Sequence, residues 1–273
     1  MNSPSPRALR LAAAVTPLGN QRYRAELNAH YTVVGRPNGG YLQCVMSNAA
    51  LLEAAAIGSP HRHVTAITTN YVGAPELGEA EAEVSIRRVG KGASFAHVLL
   101  RQNGRVTNES ILTLGNLHPG SEYRYHDTTP FEVAPRDECP RSPSNDMVGI
   151  LSVQEQRLDP SCTTFARGEI SDRAEIKGWM RLDDGDAEWD PWSLLFASDA
   201  LPPATFPIGS SGWVPTLQLS SYIRAIPVGP WLKVRQWCVV IEDGLVDERC
   251  ELFDERDRLV ASASQLAMVR FDS

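Results

Sequence analysis

The sequence predicts an α+β protein built from two copies of one unit, each an apolar helix with a long antiparallel sheet. Three observations carry this. Two helical stretches, 39–56 and 192–203, are apolar nearly all round, and each follows a residue suited to cap a helix, Asn38 and Asp190. Runs of apolar and polar residues alternating with period two follow both helices. The two halves also match at a constant separation. Thr65, Tyr71 and Gly78 recur 151 residues later as Thr216, Tyr222 and Gly229, and the same 151 relates Tyr41 to Trp192 and Asn48 to Asp199. The last strands need 153, which sets Leu112 against Gln265, as a small hairpin insertion would.

Taken in order, Tyr23 to Val33 alternates and reads as a half-buried strand. Asn38 then caps the first helix, which ends near Gly58 and Pro60. Gly39 and Gly40 are locally unfavourable in a first turn. They suit either tight packing of the helix start or a backbone whose N–H groups must approach something closely. Strands follow at Val64–Val72, Glu79–Arg87, Ser94–Gln102 and Val106–Leu114, the last two joined by an Asn103-Gly104 turn. Five prolines between Asn116 and Met147 mark a crossover, with Tyr123, Tyr125 and Phe131 to pin it to the surface.

The plan then repeats, with strands at Thr164–Ile170 and around Lys177–Leu182. The helix opened by Asp190 and Pro191 and stopped by Pro202 and Pro203 comes next, and strands begin at Thr216, Leu232, Val246 and Arg258. The expected division is an N-terminal unit at 1–118, a crossover at 119–147 and a C-terminal unit at 148–273.

Composition narrows the function. At 273 residues and 42% hydrophobic content the chain can bury a large core. Its net charge of -7 contains no long run of either sign, which argues against nucleic acid. The apolar stretch within Arg7–Val15 is too short for a secretory core, and no later stretch is long enough to span a membrane, so a cytoplasmic protein is expected. Five cysteines without CxxC spacing suit reduced, packed thiols, and indicate neither a metal nor a redox centre. His61-Arg-His63 reads as a solvated loop, and Asp183–Asp186 as a polar turn without the distal Glu of a calcium loop. Ser210-Ser-Gly212 lacks the GxSxG pattern of a nucleophile elbow.

The residues Ser198-Asp-Ala200, Val214-Pro-Thr-Leu217, Trp231-Leu232 and Leu259-Val-Ala-Ser-Ala-Ser-Gln265, in this order, resemble the acyl-CoA thioesterase II (thioesterase B-like) family. Gly39-Gly40 and Asn70–Pro75 extend the likeness into the first half. The resemblance implies a double hot-dog fold, hydrolysis of an acyl-CoA without a cofactor, and a homodimer or higher homo-oligomer. By motif it implies that Asp199, Thr216 and Gln265 hold the attacking water. Two departures stand out. The acid and histidine that many members carry just after the Thr are absent, with Gln218 and Leu219 in their neighbourhood, and Leu266 replaces a Glu that often follows the Gln.

The residues bear on this chemistry in their own right. Asp199 is a lone carboxylate on an apolar helix, where desolvating a charge without partners costs roughly several kcal/mol; a rim position and a catalytic task both fit. Gln265 shares its strand face with Leu259, Ala261, Ala263, Ala267, Val269 and Phe271, so a single amide interrupts an apolar row. Thr216 alone reads equally as a strand-start residue after Pro215. Thioester hydrolysis also needs donors for the developing oxyanion, and the first-turn amides around Gly39, Gly40 and Tyr41 are the candidates. Two other readings stay open. One is an acyl-thioester-binding protein without chemistry; the other is a hot-dog enoyl hydratase or dehydratase, which is disfavoured because the second helix has no His.

Overall fold

The structure is a computed structural model and describes residues 8–183 and 188–271. The chain opens with one helical turn, α1 (Leu9–Ala12), and the strands β1 (Val15–Gly19) and β2 (Arg22–Leu27). A small ribbon of β3 (Thr32–Val33) and β4 (Arg36–Pro37) leads into α2 (Gly39–Ala56). Next come β5 (His63–Tyr71), β6 (Gly78–Val89), β7 (Ser94–Gln102) and β8 (Arg105–Gly115). The second half holds β9 (Gln154–Leu158), β10 (Glu175–Leu182) and α3 (Leu194–Ala197). It ends with β11 (Thr216–Ile223), β12 (Leu232–Glu242), β13 (Leu245–Phe253) and β14 (Leu259–Met268).

Twelve strands form one antiparallel sheet in the order β1-β2-β6-β7-β8-β5-β11-β14-β13-β12-β10-β9. The two halves therefore meet at β5 and β11, where Thr69 lies opposite Leu219 and Ile67 opposite Ser221. The period-two runs of the sequence become these strands, and β7 turns into β8 through Asn103 and Gly104, both at positive φ as a tight two-residue hairpin needs. Asn38 caps α2 by accepting the Tyr41 N–H at 2.9 Å. Most of α2 is then buried against α3 and the N-terminal strands.

Some expectations need correction. The strand expected over Tyr23–Val33 stops at Leu27, because the Asn28 side chain accepts the His30 N–H at 2.9 Å and starts a 3-10 turn. Thr164–Arg167 is likewise a 3-10 turn, ended by Gly168 in the left-handed conformation. His61 is buried, with Nδ1 2.8 Å from the Ser94 hydroxyl, so it is no solvated loop residue. Tyr123 and Phe131 do hold the crossover, through hydrogen bonds to Leu259 and an edge contact on Phe253, but Tyr125 is 81% exposed. The turn expected at Asp183–Asp186 lies, beyond its first residue, outside the described residues.

The largest correction concerns the second helix. A long helix was expected in each unit, yet α3 is one α-helical turn within a short coiled segment. Its start is capped as expected: Asp190 accepts the Ser193 N–H at 2.8 Å, and the Ser193 hydroxyl accepts the Asp190 N–H at 2.9 Å. The turn is not extended, because the carbonyls just beyond it bond to side chains instead. Ala200 O accepts the Gln154 and Gln156 amides at 3.2 and 3.1 Å, and Asp199 O accepts the Asn38 amide at 2.7 Å. Pro202 and Pro203 then offer no N–H to continue.

The internal repeat is real, but its separation changes along the chain. Ser47 and Ser198, 151 apart, each bond back to the carbonyl three residues earlier. In the central strands the separation is 152. The β5 register against β8 slips at Thr65, and that of β11 against β14 slips at Leu217, so Thr216 corresponds to Val64 rather than to Thr65. Tyr71 and Tyr222 consequently point to opposite faces: Tyr71 bonds to Gly39 O at 2.9 Å, whereas Tyr222 is exposed. Leu112 and Gln265 do correspond at 153, facing Ile67 and Leu219 respectively.

Candidate active site

The early end of the α3 segment leaves Asp199 at the start of α2. Here a cavity of about 550 Å³ opens, lined by Asn38, Gly39 and Tyr71 from the first half and by Asp199, Thr216 and Gln265 from the second. The three residues expected to hold water thus share one chamber. Much of its remaining wall is apolar, including Leu42, Ile150, Phe165, Phe206 and Trp213.

Asp199 is held by the N-terminus of α2. Gly40 N–H donates to its Oδ2 at 2.9 Å, Asn38 Nδ2 donates to the same oxygen at 3.1 Å, and the Gly39 amide also faces the carboxylate. The two glycines make this possible. A Cβ on Gly39 would sit 2.8 Å from both Asp199 Oδ2 and the Tyr71 hydroxyl, and one on Gly40 would sit 2.6 Å from Leu195 O. Of the two readings left open for the Gly-Gly pair, both apply at once: the helices pack tightly and the backbone amides meet an anion. Burial pushes the Asp199 carboxyl up. The Gly40 amide opposes this, the negative charge of Glu248 adds to it, and the Gly39 amide and Asn38 pull it down, leaving it at about 7.

The same contacts correct the expected oxyanion donors. The Gly40 N–H is engaged by Asp199, and the Tyr41 N–H by Asn38. Tyr41 lies outside the cavity lining: its ring stacks on Tyr31 with centroids 4.9 Å apart and its hydroxyl donates to Ala12 O at 2.7 Å.

On the opposite wall Thr216 Oγ1 donates to Gln265 Oε1 at 3.1 Å, and Gln265 Nε2 donates to Glu248. Glu248 also accepts the Gln236 amide and the Ala204 N–H, both at 3.0 Å, and is 1% exposed. Asn38 and Glu248 were not among the expected site residues. Glu248 was within reach of the argument that found Gln265, since Val246, Cys250 and Leu252 share its inward row on β13 and it is that row's only carboxylate.

Two family models cover the chain: an acyl-CoA thioesterase N-terminal domain matches residues 28–115, and an acyl-CoA thioesterase C-terminal domain matches residues 132–269. The chain belongs to the acyl-CoA thioesterase family. It is an acyl-CoA thioester hydrolase of the thioesterase II, thioesterase B-like group, with the double hot-dog fold. An uncharacterized protein of Mycobacterium tuberculosis is 30% identical over 265 residues, with 90% of each chain covered. A crystal structure from Thermobifida fusca, provisionally named a thioesterase II, is similar with a TM-score of 0.88 at 31% identity, covering 98% of this chain and 99% of that one. A hot-dog protein of unknown function from Alicyclobacillus acidocaldarius shares the fold with a TM-score of 0.81 at 18% identity, over 97% and 98% of the two chains. Among the described residues of this thioesterase, no helix is long and apolar enough to cross a membrane.

Proposed function

We propose that this thioesterase hydrolyses a fatty or related acyl-CoA to free acid and CoA by direct attack of a water held by Asp199, Thr216 and Gln265. The observation that carries the reading is the carboxylate poised near neutrality in the same apolar-walled cavity as a hydrogen-bonded Thr-Gln pair. A general base works best when its pKa lies near the operating pH. Water gives a proton to Asp199 as its oxygen bonds to the thioester carbon. Collapse of the tetrahedral intermediate breaks the carbon-sulfur bond, and the proton held on Asp199 passes to the departing thiolate. No enzyme nucleophile is consumed. The apolar wall receives the acyl chain, and the absence of histidine from the lining gives the hydratase reading no second catalytic group.

On this reading the units are 1–118 and 148–273 with a connector between them, and the enzyme works in the cytoplasm as a homodimer or higher homo-oligomer. Steady-state thiol release from a panel of acyl-CoAs of graded chain length tests the function. Turnover should peak at one chain length and fall on either side; binding of the panel without thiol release would leave an acyl-binding protein instead.

A further inference from the structure

Glu248 is a buried carboxylate at the cavity wall, and among the described residues no cation pairs with it. Among the described residues its partners are all neutral donors: the Gln265 and Gln236 amides and the Ala204 N–H, with the Cys238 thiol 3.8 Å away. Burying a charge in this way costs roughly several kcal/mol, even with hydrogen bonds to repay part of it. A Leu or Met there would fill the same space at no such cost.

The placement has a directional consequence. An ionised carboxylate accepts hydrogen bonds and donates none. Glu248 therefore forces Gln265 to turn its Nε2 inward, which leaves Gln265 Oε1 facing Thr216, and this obliges the Thr216 hydroxyl to donate its only proton to Gln265. The free lone pairs of Thr216 Oγ1 then act as acceptors. On the water-attack reading, a water in the cavity that Thr216 and Asp199 both line donates one proton to each, and its oxygen lone pair is left for the thioester carbon.

We propose that Glu248 is the positioning residue of this reaction: it sets the direction of the chain Glu248, Gln265, Thr216, water, so that the water presents a lone pair and not a proton to the substrate. The inference rests on the water-attack reading above and extends it to a residue that acts through Gln265. Glu248 also faces Asp199 electrostatically. The other titratable groups around Asp199 and Glu248 are Tyr71, Cys238 and Cys250, all neutral because burial raises their pKa values, and Arg36 at the cavity lining is paired to Glu76 at 3.6 Å. Burial is the larger cause of the raised Asp199 pKa, and the charge of Glu248 adds to it.

The test is Glu248→Gln, which keeps the size but can present either end of its amide to Gln265. With the best acyl-CoA of the panel, kcat should fall about 10- to 100-fold with little change in KM, the usual scale for a misoriented reactant. The acid limb of kcat should also move to lower pH, since removing a negative neighbour favours ionised Asp199. Unchanged kcat and acid limb would overturn the inference, as would a rise in KM with kcat unchanged. Thermal unfolding of the variant guards against a fold defect, and if the variant is unfolded, Gln236→Leu, which leaves Glu248 one donor short, is measured in its place with the same expectation for the limb: losing a donor disfavours ionised Glu248, a less charged Glu248 favours ionised Asp199, and a limb that stays in place or moves upward overturns the inference. Asp199→Asn is run alongside. If Asp199→Asn remains active, the water-attack reading fails; if it is inactive while Glu248→Gln behaves as wild type, only the role of Glu248 fails.

Discussion

The duplication supplies two equivalent places where a helix start meets a sheet, and they differ in every polar residue of the site. Asp199, Thr216, Gln265, Glu248 and Gln236 in the second frame correspond to Asn48, Val64, Leu112, Ala96 and Val84 in the first, through matching bulges and strand registers. The first frame is also filled. Residues of α1 and its flank, Leu9, Ala12 and Ala13, are fully buried there, the Asn48 amide donates to Ala13 O at 2.8 Å, and the Tyr41 hydroxyl donates to Ala12 O. Arg10 fastens the plug by pairing with Asp190 and lying over the Trp192 ring. The comparison teaches that the fold provides a frame twice, and that one frame alone keeps an unfilled cavity with a carboxylate at the far helix start, which is where the proposed function sets the activity.

The sharpest way to break the comparison is to make the second frame resemble the first. Asp199→Asn installs the residue found at the corresponding position. Thiol release should fall by roughly two to four orders of magnitude, the range for losing a general base, with little loss of stability. In the wild type kcat should drop below about pH 7, because Asp199 must be ionised to accept a proton and its pKa is raised to about 7. Turnover in the Asn variant that stays near wild type, or a wild-type profile flat through pH 6, would return Asp199 to a structural role.

Smaller effects are expected at the opposite wall. On the proposed mechanism Gln265→Ala and Thr216→Ala each remove part of the water's hold, and each should cost about 10- to 100-fold in kcat. In combination with Asp199→Asn they should add almost nothing if all three act on one water, as proposed. Additive losses would mean that the residues serve different steps.

Much of this was legible in the sequence because the sheet is long and half-buried, so parity marks the inward row of each strand. The same parity that singled out Gln265 on β14 also marks Glu248 on β13. Other features were hidden for physical reasons. The strand β9 is Gln154-Glu-Gln-Arg-Leu158, whose buried glutamines satisfy the Ala200 carbonyl, so no hydrophobic pattern announces it. The shortness of α3 depends on the same two glutamines and on Asn38, partners far away in sequence. The match of Thr65 with Thr216 follows from the shared separation of 151, yet one residue of slip at the bulges turns a side chain to the other face. Gly39 and Gly40 signalled a close approach of the backbone, but the sequence alone did not reveal that what approaches is Asp199.

The mildest expected effect comes from the reverse exchange, Asn48→Asp in the first frame. Asn48 donates to a backbone carbonyl of the plug, and an aspartate would set an acceptor against an acceptor at that point. The loss of that bond, with the carbonyl left unsatisfied beside a half-buried residue, should cost about 1–3 kcal/mol, read as a lower midpoint in urea unfolding. No second active centre should appear, because Val64, Leu112 and Ala96 offer no water-holding groups and α1 leaves no room for an acyl chain. Placing Asn48→Asp on the Asp199→Asn background puts the distinction to its strictest trial: thiol release should remain at the level of the single variant. Recovery of turnover there would show that the carboxylate alone makes a frame into a site, and that the cavity and the Thr-Gln-Glu chain are dispensable.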